Sequence, residues 1–305
     1  MFFFERCALV VCGRTMKTFC LRSCFSVALC LLFVSAALPE SPRDKHFLWR
    51  VTNVPSPFYI LGSIHALRRS DYPFGQEIDE AIGQCKRFVF EYDSYHTDPR
   101  LWRRKMLAAQ HYRAGTTLRD KIRPETYAHI QRIAKVRASE YDDVKPWAIA
   151  FFMVSHPYFH DISKRYGVED YVLRRASPFA EFGGLETLDE NIRVLAGMSD
   201  AESEVFLRQT FGHPDRIAWE MSKTIDAYKR GDTNALAAAY ASEDREAPFI
   251  TWRTIDQRNL RWIRRIEAEM SSGKPTMIVV GARHLCGRNS VVTLLQARGY
   301  ILEQL

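Results

Sequence analysis

Two histidines each follow a glycine by three residues, and each glycine ends a short apolar run. His65 follows Gly62 in the stretch FYILGSIHAL, and His284 follows Gly281 in the stretch TMIVVGARHL. A third apolar run ends directly on Glu91. Imidazole and carboxylate groups bind divalent metals such as Mn, Co, Fe and Zn, and three protein ligands leave a position open for reactive water. The pattern therefore predicts a catalytic divalent metal ion held by His65, Glu91 and His284.

Other polar residues near these motifs are candidates for proton transfer or charge stabilisation. Glu186 follows two glycines and could be a fourth ligand, a general base or a helix-start carboxylate. Arg258 and Asn259 precede the second motif on a predicted helix, and Arg258 is expected to steady a developing oxyanion while Glu91 or Glu186 handles protons. Every candidate residue, including the two histidines, also has an ordinary structural explanation. A histidine can form a hydrogen bond within a turn, a glutamate can pair with an arginine, and an arginine can face water.

Other catalytic signatures are missing from the sequence. There is no G-x-S-x-G elbow, no H-E-x-x-H helix, no phosphate loop and no dinucleotide fingerprint. The histidines at 156, 160 and 213 stand on or beside helical patterns and are expected to have structural roles. The metal hypothesis thus rests on the two glycine–histidine motifs and the strand-end glutamate.

The apolar runs indicate strands buried on both faces of a sheet. A helical pattern at 74–87 separates the first motif from the strand that ends on Glu91, which gives a strand–helix–strand unit. Gly62 is expected to adopt backbone angles that other residues avoid, so that the chain turns sharply on leaving the sheet. Ligands of open α/β sheets bind at the carboxyl ends of the strands, where these motifs are expected to meet.

Strand patterns lie at both ends of the chain, at 47–52 and 300–304, and helical patterns fill most of the middle. Between them, residues 179–182 indicate a strand that Gly183 and Gly184 interrupt, and Ser199 with Glu202 forms a capping box before a further helix. No linker rich in proline, glycine or serine divides the chain. We predict an α/β fold with a mixed central sheet, built from N- and C-terminal segments, and a large helical insertion. Residues 44–305 would form one domain with a helical subdomain at about 98–270.

The first 37 residues have the pattern of a secretory signal peptide. After Met16, which could be the true start, come Lys17 and Arg22, an apolar stretch at 25–34, and small residues at 35–37. The apolar stretch is shorter than the roughly 20 residues of a membrane span. We therefore expect cleavage after residue 36 or 37 and export to a periplasm or the medium. An uncleaved N-terminal membrane anchor is the alternative.

Composition limits the partners. The chain of 305 residues has a net charge of +7 with no run of five or six like charges, so a nucleic-acid groove is not indicated. Five of the seven cysteines fall in the leader, which leaves Cys85 and Cys286. Each lies next to a predicted strand, and an export compartment would allow them to form a disulfide if their geometry permits.

From about residue 48 to residue 305 the chain resembles the TraB/GumN family, which is related to the TIKI-type proteins. The resemblance rests on a set of short motifs in a fixed order: LGSIH at 61–65, VFE at 89–91, KPW at 145–147, GLET at 184–187, RN at 258–259, VVGARHLCG at 279–287 and RGYILEQL at 298–305. Ser63 stands where the family usually has threonine.

The resemblance implies an α/β fold in which both glycine–histidine turns and the strand-end glutamate meet at one site. Similarity to the TIKI branch implies a metal-dependent, peptidase-like hydrolase. Its site would contain His65, Glu91, His284, Glu186, Arg258 and Asn259. The partner would be a peptide, a small amide or a glycan, with no nucleic acid and no membrane span after cleavage. Other branches are linked with peptide pheromones or polysaccharide gene clusters. The alternative is therefore an exported protein that binds or sequesters a peptide or glycan without turnover, and a third is a structural envelope protein.

Overall fold

Six strands form a mixed central sheet. The computed structural model describes residues 45–134, 141–155, 162–212 and 214–305. In chain order, the strands of these residues, in the central sheet and outside it, are β1 (Leu48–Val51), β2 (Phe58–Ser63), β3 (Leu67–Arg68), β4 (Arg87–Tyr92), β5 (Ile162–Ser163), β6 (Glu181–Glu186), β7 (Thr276–Gly281) and β8 (Leu302–Gln304). The sheet has the order β6-β4-β7-β2-β1-β8, and β3 pairs with β5 separately. Strands β6, β4, β7 and β2 are parallel, whereas β1 is antiparallel to both β2 and β8.

Helices cover the sheet and build a second core beside it. They are α1 (Gln76–Gln84), α2 (Pro99–Gln110), α3 (Pro124–Ala134), α4 (Pro146–Ser155), α5 (Val168–Arg175), α6 (Leu188–Ala196), α7 (Asp200–Gly212), α8 (Pro214–Lys229), α9 (Thr233–Glu246), α10 (Pro248–Thr251), α11 (Gln257–Ser271) and α12 (Val291–Gln296). A π-helical segment, Trp252–Asp256, joins α10 to α11. Of the helices described, none is long and apolar enough to cross a membrane.

The hydrophobic core explains why the central strands are apolar throughout. All six residues of β2 are buried, as are the first five of β7, because helices pack on both faces of the parallel strands. A second apolar cluster lies among α2, α3, α4 and α7 and includes Trp147 and Leu207. The predicted α/β class with a mixed central sheet is confirmed.

The middle of the chain differs in detail from the prediction. Strand β6 continues through Gly183 and Gly184, where a break was predicted, so the segment at 98–270 adds a strand to the central sheet. A Cβ on Gly184 would lie 2.2 Å from the backbone nitrogen of Asp93, so the glycine permits close packing rather than ending the strand. The sequence patterns also missed α6, which Thr187 caps through a reciprocal capping box with Glu190. The predicted capping box of Ser199 and Glu202 is present.

Gly62 has a different role from the one predicted. Strand β2 runs through it to Ser63, and Gly62 is not among the described glycines with positive φ. A Cβ at this position would lie 3.0 Å from the Cβ of Phe47 and 3.2 Å from the Cα of Ala282. Gly62 is therefore required for space, because the chain before β1 and the turn after β7 both press against it.

Cys85 and Cys286 are both free thiols. Cys85 precedes β4 and Cys286 follows the parallel strand β7, so the two cysteines lie at opposite ends of these two strands. A six-residue strand is about 20 Å long, whereas the Cα atoms of a disulfide are about 4–7 Å apart. The considered disulfide is therefore absent, and burial raises the pKa of each thiol to about 12. The predicted leader and the histidines at 156, 160 and 213 lie outside the described residues.

Candidate functional site

The parallel strands bring the three predicted metal ligands to one edge of the sheet. His65 follows β2, Glu91 lies near the end of β4, and His284 follows β7. All three line a single cleft of about 440 Å³. The other walls of this cleft come mainly from α7, α8, α9 and the π-helical segment. The strand-end argument thus predicted correctly which residues share a cavity.

His65 is held at the cleft by a carboxylate that the sequence patterns did not reveal. Its Nδ1 lies 2.5 Å from Oε1 of Glu169, which also accepts a 2.7 Å hydrogen bond from the hydroxyl of Ser63. Glu169 is close because the N–H of Val168, at the start of α5, donates to the carbonyl of Ile64. The negative charge of Glu169 raises the pKa of His65 to about 9. The ring is therefore fixed through Nδ1, and Nε2 is the atom with which His65 can act.

His284 is buried and is oriented by Asn259. Its Nδ1 lies 2.6 Å from Oδ1 of Asn259, whose Nδ2 donates to the carbonyl oxygens of His284 and Asn289. Because the amide oxygen is an acceptor, Nδ1 of His284 carries the proton and Nε2 keeps a lone pair. That Nε2 lies 3.3 Å from Nη1 of Arg258 and 3.7 Å from Oε1 of Glu91. Burial lowers the pKa of His284 to about 3, so the imidazole is neutral.

Glu91 is an ionised carboxylate at the base of the cleft. Its Oε1 accepts a 2.9 Å hydrogen bond from the backbone N–H of Gly281, and its Oε2 accepts a 2.6 Å bond from Nη2 of Arg258. A Cβ on Gly281 would lie 3.2 Å from Oε1, so a glycine permits this approach. Burial alone would raise the pKa of Glu91, but the charges of Arg258 and His65 and the N–H of Gly281 outweigh burial and hold that pKa well below its usual range.

Arg258 links Glu91 to Glu186. Its Nε and Nη2 each donate a 2.9 Å hydrogen bond to one oxygen of Glu186, and its Nη1 donates to the carbonyl of Thr254 in the π-helical segment. Trp262 donates to the same carboxylate over 3.1 Å. Burial lowers the pKa of Arg258, but the two glutamates outweigh it and keep the guanidinium charged. Every N–H group of Arg258 thus has a partner, so in this arrangement Arg258 positions Glu91 and Glu186.

The structure separates the predicted catalytic residues into two groups. Glu91 and Arg258 line the cleft together with both histidines, whereas Glu186 and Asn259 lie behind them. Glu186 is 4% exposed and Asn259 is fully buried, so each contacts the cleft only through Arg258 or His284. Glu169 carries no sequence signal beyond being an acid in the first turn of a helix, which is common.

The donor set fits a divalent metal in its chemistry. Each imidazole has its Nδ1 anchored to an oxygen, from Glu169 or Asn259, and this is the outer-shell arrangement that metal-binding histidines use. As the side chains stand, however, no three His, Cys, Asp or Glu residues within the described ranges are grouped closely enough to hold an ion. The positive charge that faces Glu91 in this structure is the guanidinium of Arg258.

Comparison with known families shows which family the chain belongs to. The model of the TraB/PrgY/gumN family matches residues 47–304, which include every residue of this site. The chain belongs to the TraB/PrgY/gumN family. The resemblance seen in the short motifs is therefore confirmed over nearly the whole chain. Searches among curated proteins and among solved structures gave no match.

Proposed function

We propose that this member of the TraB/PrgY/gumN family is an exported, metal-dependent hydrolase that acts on a peptide or a similar amide. The supporting observation is that two imidazoles, each anchored through Nδ1, line the same cleft as an ionised carboxylate. Export rests on the signal-peptide pattern of the leader, with an N-terminal membrane anchor as its alternative.

His65, His284 and Glu91 would hold the metal, the histidines through Nε2. When bound, a divalent metal such as Mn, Co, Fe or Zn lowers the pKa of its water and polarises a substrate carbonyl. Asn259 keeps the proton of His284 on Nδ1, so that Nε2 stays available as a ligand atom. Since Glu169 raises the pKa of His65 to about 9, His65 must release a proton before its Nε2 can act as a ligand.

The remaining residues of the site keep the carboxylate of Glu91 ionised and fixed in position. Arg258 and the N–H of Gly281 hold Glu91 ionised and fix both of its oxygens at the base of the cleft. Glu186, paired with two nitrogens of Arg258, holds the guanidinium in place and takes no part at the cleft surface. In this proposal Glu91 carries the negative charge that a metal requires, and Glu186, Arg258 and Asn259 are positioning residues.

The size and lining of the cleft suit a short peptide. Its volume of about 440 Å³ lies in the usual range for small-ligand sites. Apolar side chains from three helices line the cleft together with the histidines, and a substrate side chain would pack against them. These residues are Phe206, Met221, Ile225 and Leu236.

The test is a hydrolysis assay with a mixed peptide library, each of the four metals in turn, and a chelator. We expect cleavage that needs one of the metals and is lost in the double variant His65→Ala, His284→Ala. The matched control is His96→Ala with His111→Ala, because these histidines also pair with acidic side chains, Asp93 and Asp143, but do not line the cleft. Cleavage that survives both the chelator and the cleft variant would contradict the proposal.

A second candidate is a protein that binds a peptide or glycan without turnover. The position of Arg258 favours it, because Arg258 already neutralises Glu91 and lies next to Nε2 of His284. Peptide binding that persists in the double histidine variant, with no product from the wild-type protein under any metal, would favour this candidate over the hydrolase.

A further inference from the structure

Gln209, on α7, has a buried amide without a hydrogen-bond partner. Both its Oε1 and its Nε2 are shielded from solvent, and neither has a partner among the described residues. A buried amide group that lacks its hydrogen bond destabilises the folded protein, because it has lost its bonds to water without replacing them. Natural proteins keep few such groups, and each one calls for a reason. Among the described residues, Nε1 of Trp147 is also buried without a partner, but Trp147 lies in the second apolar cluster, whereas Gln209 lines the cleft.

The surroundings of Gln209 would allow its amide to form strong hydrogen bonds with a ligand in the cleft. It shares the cleft with His65, Glu91 and His284, and the apolar side chains of Phe206 and Leu236 line the same cleft. A hydrogen bond made in such a poorly polar environment is stronger than one made in water. The glutamine side chain has three rotatable bonds, so a ligand that offers both partners can draw the amide toward itself.

We propose that Gln209 recognises the amide group of the substrate. Its carboxamide has both a donor and an acceptor, which match the C=O and the N–H that one residue of an extended peptide presents on the same side. An ester lacks the N–H, and a carboxylate offers only acceptors, so both would leave Oε1 of Gln209 without a partner. This inference rests on the proposed function and narrows its substrate class to peptides and amides, in preference to esters and carboxylates.

The experiment compares two small probes in chelator-treated protein, where no turnover interferes. The probes are N-acetyl-leucine N-methylamide and the analogue in which an ester oxygen replaces the N–H of leucine, and their binding is followed by NMR titration. We expect the wild-type protein to bind the amide about tenfold more tightly than the ester, and Gln209→Met to lose this preference. The matched control is Gln76→Met, which removes the same group from the surface, where Gln76 bonds to Glu80.

Thermal unfolding gives a second readout. Because Met fills a similar volume without a polar group, Gln209→Met should raise the unfolding midpoint of the ligand-free protein by about 2–4 °C. If the Met variant does not fold, Gln209→Asn, which withdraws the amide by one methylene, should show the same loss of preference. An amide preference that persists in the folded variant, or a wild-type protein without such a preference, would overturn the inference. A lower midpoint for Gln209→Met would overturn it too, since the amide would then serve the fold.

The outcome is separable from that of the proposed function. An amide preference that depends on Gln209, found in a protein that never cleaves a peptide, would leave this recognition role intact and refute only the hydrolase. Cleavage of peptides with no role for Gln209 would do the reverse.

Discussion

At the scale of single residues, Arg258 compensates two buried carboxylates. Its relative exposure is 6%, and its partners Glu91 and Glu186 face little solvent. A buried ion pair contributes little net stability, but removing one partner leaves a buried charge without compensation. Arg258 is therefore a residue whose loss should affect the fold before it affects any chemistry.

Arg258→Met should lower the free energy of unfolding by about 3–5 kcal/mol, because Glu91 and Glu186 would be left as uncompensated charges. The control is Arg261→Met, since Arg261 also approaches Glu186, at 3.5 Å, but its side chain is 43% exposed. The control should lose less than about 1 kcal/mol. Urea denaturation at pH 7 measures both, and equal losses would contradict the account.

His65 should titrate well above an ordinary histidine in the metal-free protein. Its folded-state pKa of about 9 exceeds the unfolded value of 6.5 because of the charge of Glu169. The stability that this pair contributes is complete below pH 6.5 and is lost as the pH rises through 9. NMR titration of the imidazole measures the pKa directly. In Glu169→Gln it should return toward 6.5, and an unchanged pKa in that variant would disprove the pairing.

The sequence indicates which strand-end residues line the cleft better than it indicates the residues that support them. His65, Glu91 and His284 were predictable because each follows a recognisable apolar strand. Glu169 and Gln209 were not, because nothing local distinguishes them from other helical residues. Glu169 lies 104 residues from His65, and only the packing of α5 against the turn after β2 brings the two together.

At the scale of elements, the two glycine–histidine turns depend on space at their glycines. Strands β2 and β7 are adjacent and parallel, and Gly62 and Gly281 both lie at the carboxyl ends of these strands. Gly62 makes room for Phe47 and Ala282, and Gly281 makes room for the carboxylate of Glu91. The shared motif is therefore explained by close packing at the site.

Gly62→Ala should destabilise the protein by about 1–3 kcal/mol, because the added methyl group would lie 3.0–3.2 Å from its neighbours. The control is Gly83→Ala in α1, where nothing lies within 4 Å of the added carbon. That change should stabilise the helix by about 0.5–1 kcal/mol. Thermal unfolding of the two variants checks both signs, and a neutral Gly62→Ala would argue against the packing explanation.

The sequence predicted a secondary-structure element correctly where a single pattern, such as an apolar run, covered the whole element. The apolar runs identified β2, β4 and β7, because buried parallel strands need nothing but apolar residues. The prediction failed at β6, where two glycines were interpreted as a break, and at α6, which begins directly after that strand. The π-helical segment was also missed, because its sequence resembles the α-helices on either side.

At the scale of the whole molecule, the cleft is assembled from distant parts of the chain. β2 and β4 come from the first third, β7 from the last, and the helices opposite them from between. Sequence periodicity does not encode such contacts, and only the rule that parallel strands share a carboxyl edge predicted the meeting of His65, Glu91 and His284. The walls formed by α7, α8 and α9 had no counterpart in that rule.

The leader should be removed when the full chain is expressed in a host that exports it. We expect the mature N-terminus to begin at residue 37 or 38, because small residues precede both positions. Mass spectrometry of the intact protein from the periplasm or the medium measures this directly. A protein that keeps its leader and stays with the membrane fraction would support the anchored alternative instead.

The metal content of the purified protein tests the central claim most directly. After equilibration with Mn, Co, Fe or Zn and removal of free metal, elemental analysis should find about one ion per chain for at least one of these metals. The double variant His65→Ala, His284→Ala should lose it, while the surface pair His96→Ala, His111→Ala should keep it. A cleft variant that retains as much metal as the wild-type protein would contradict the account.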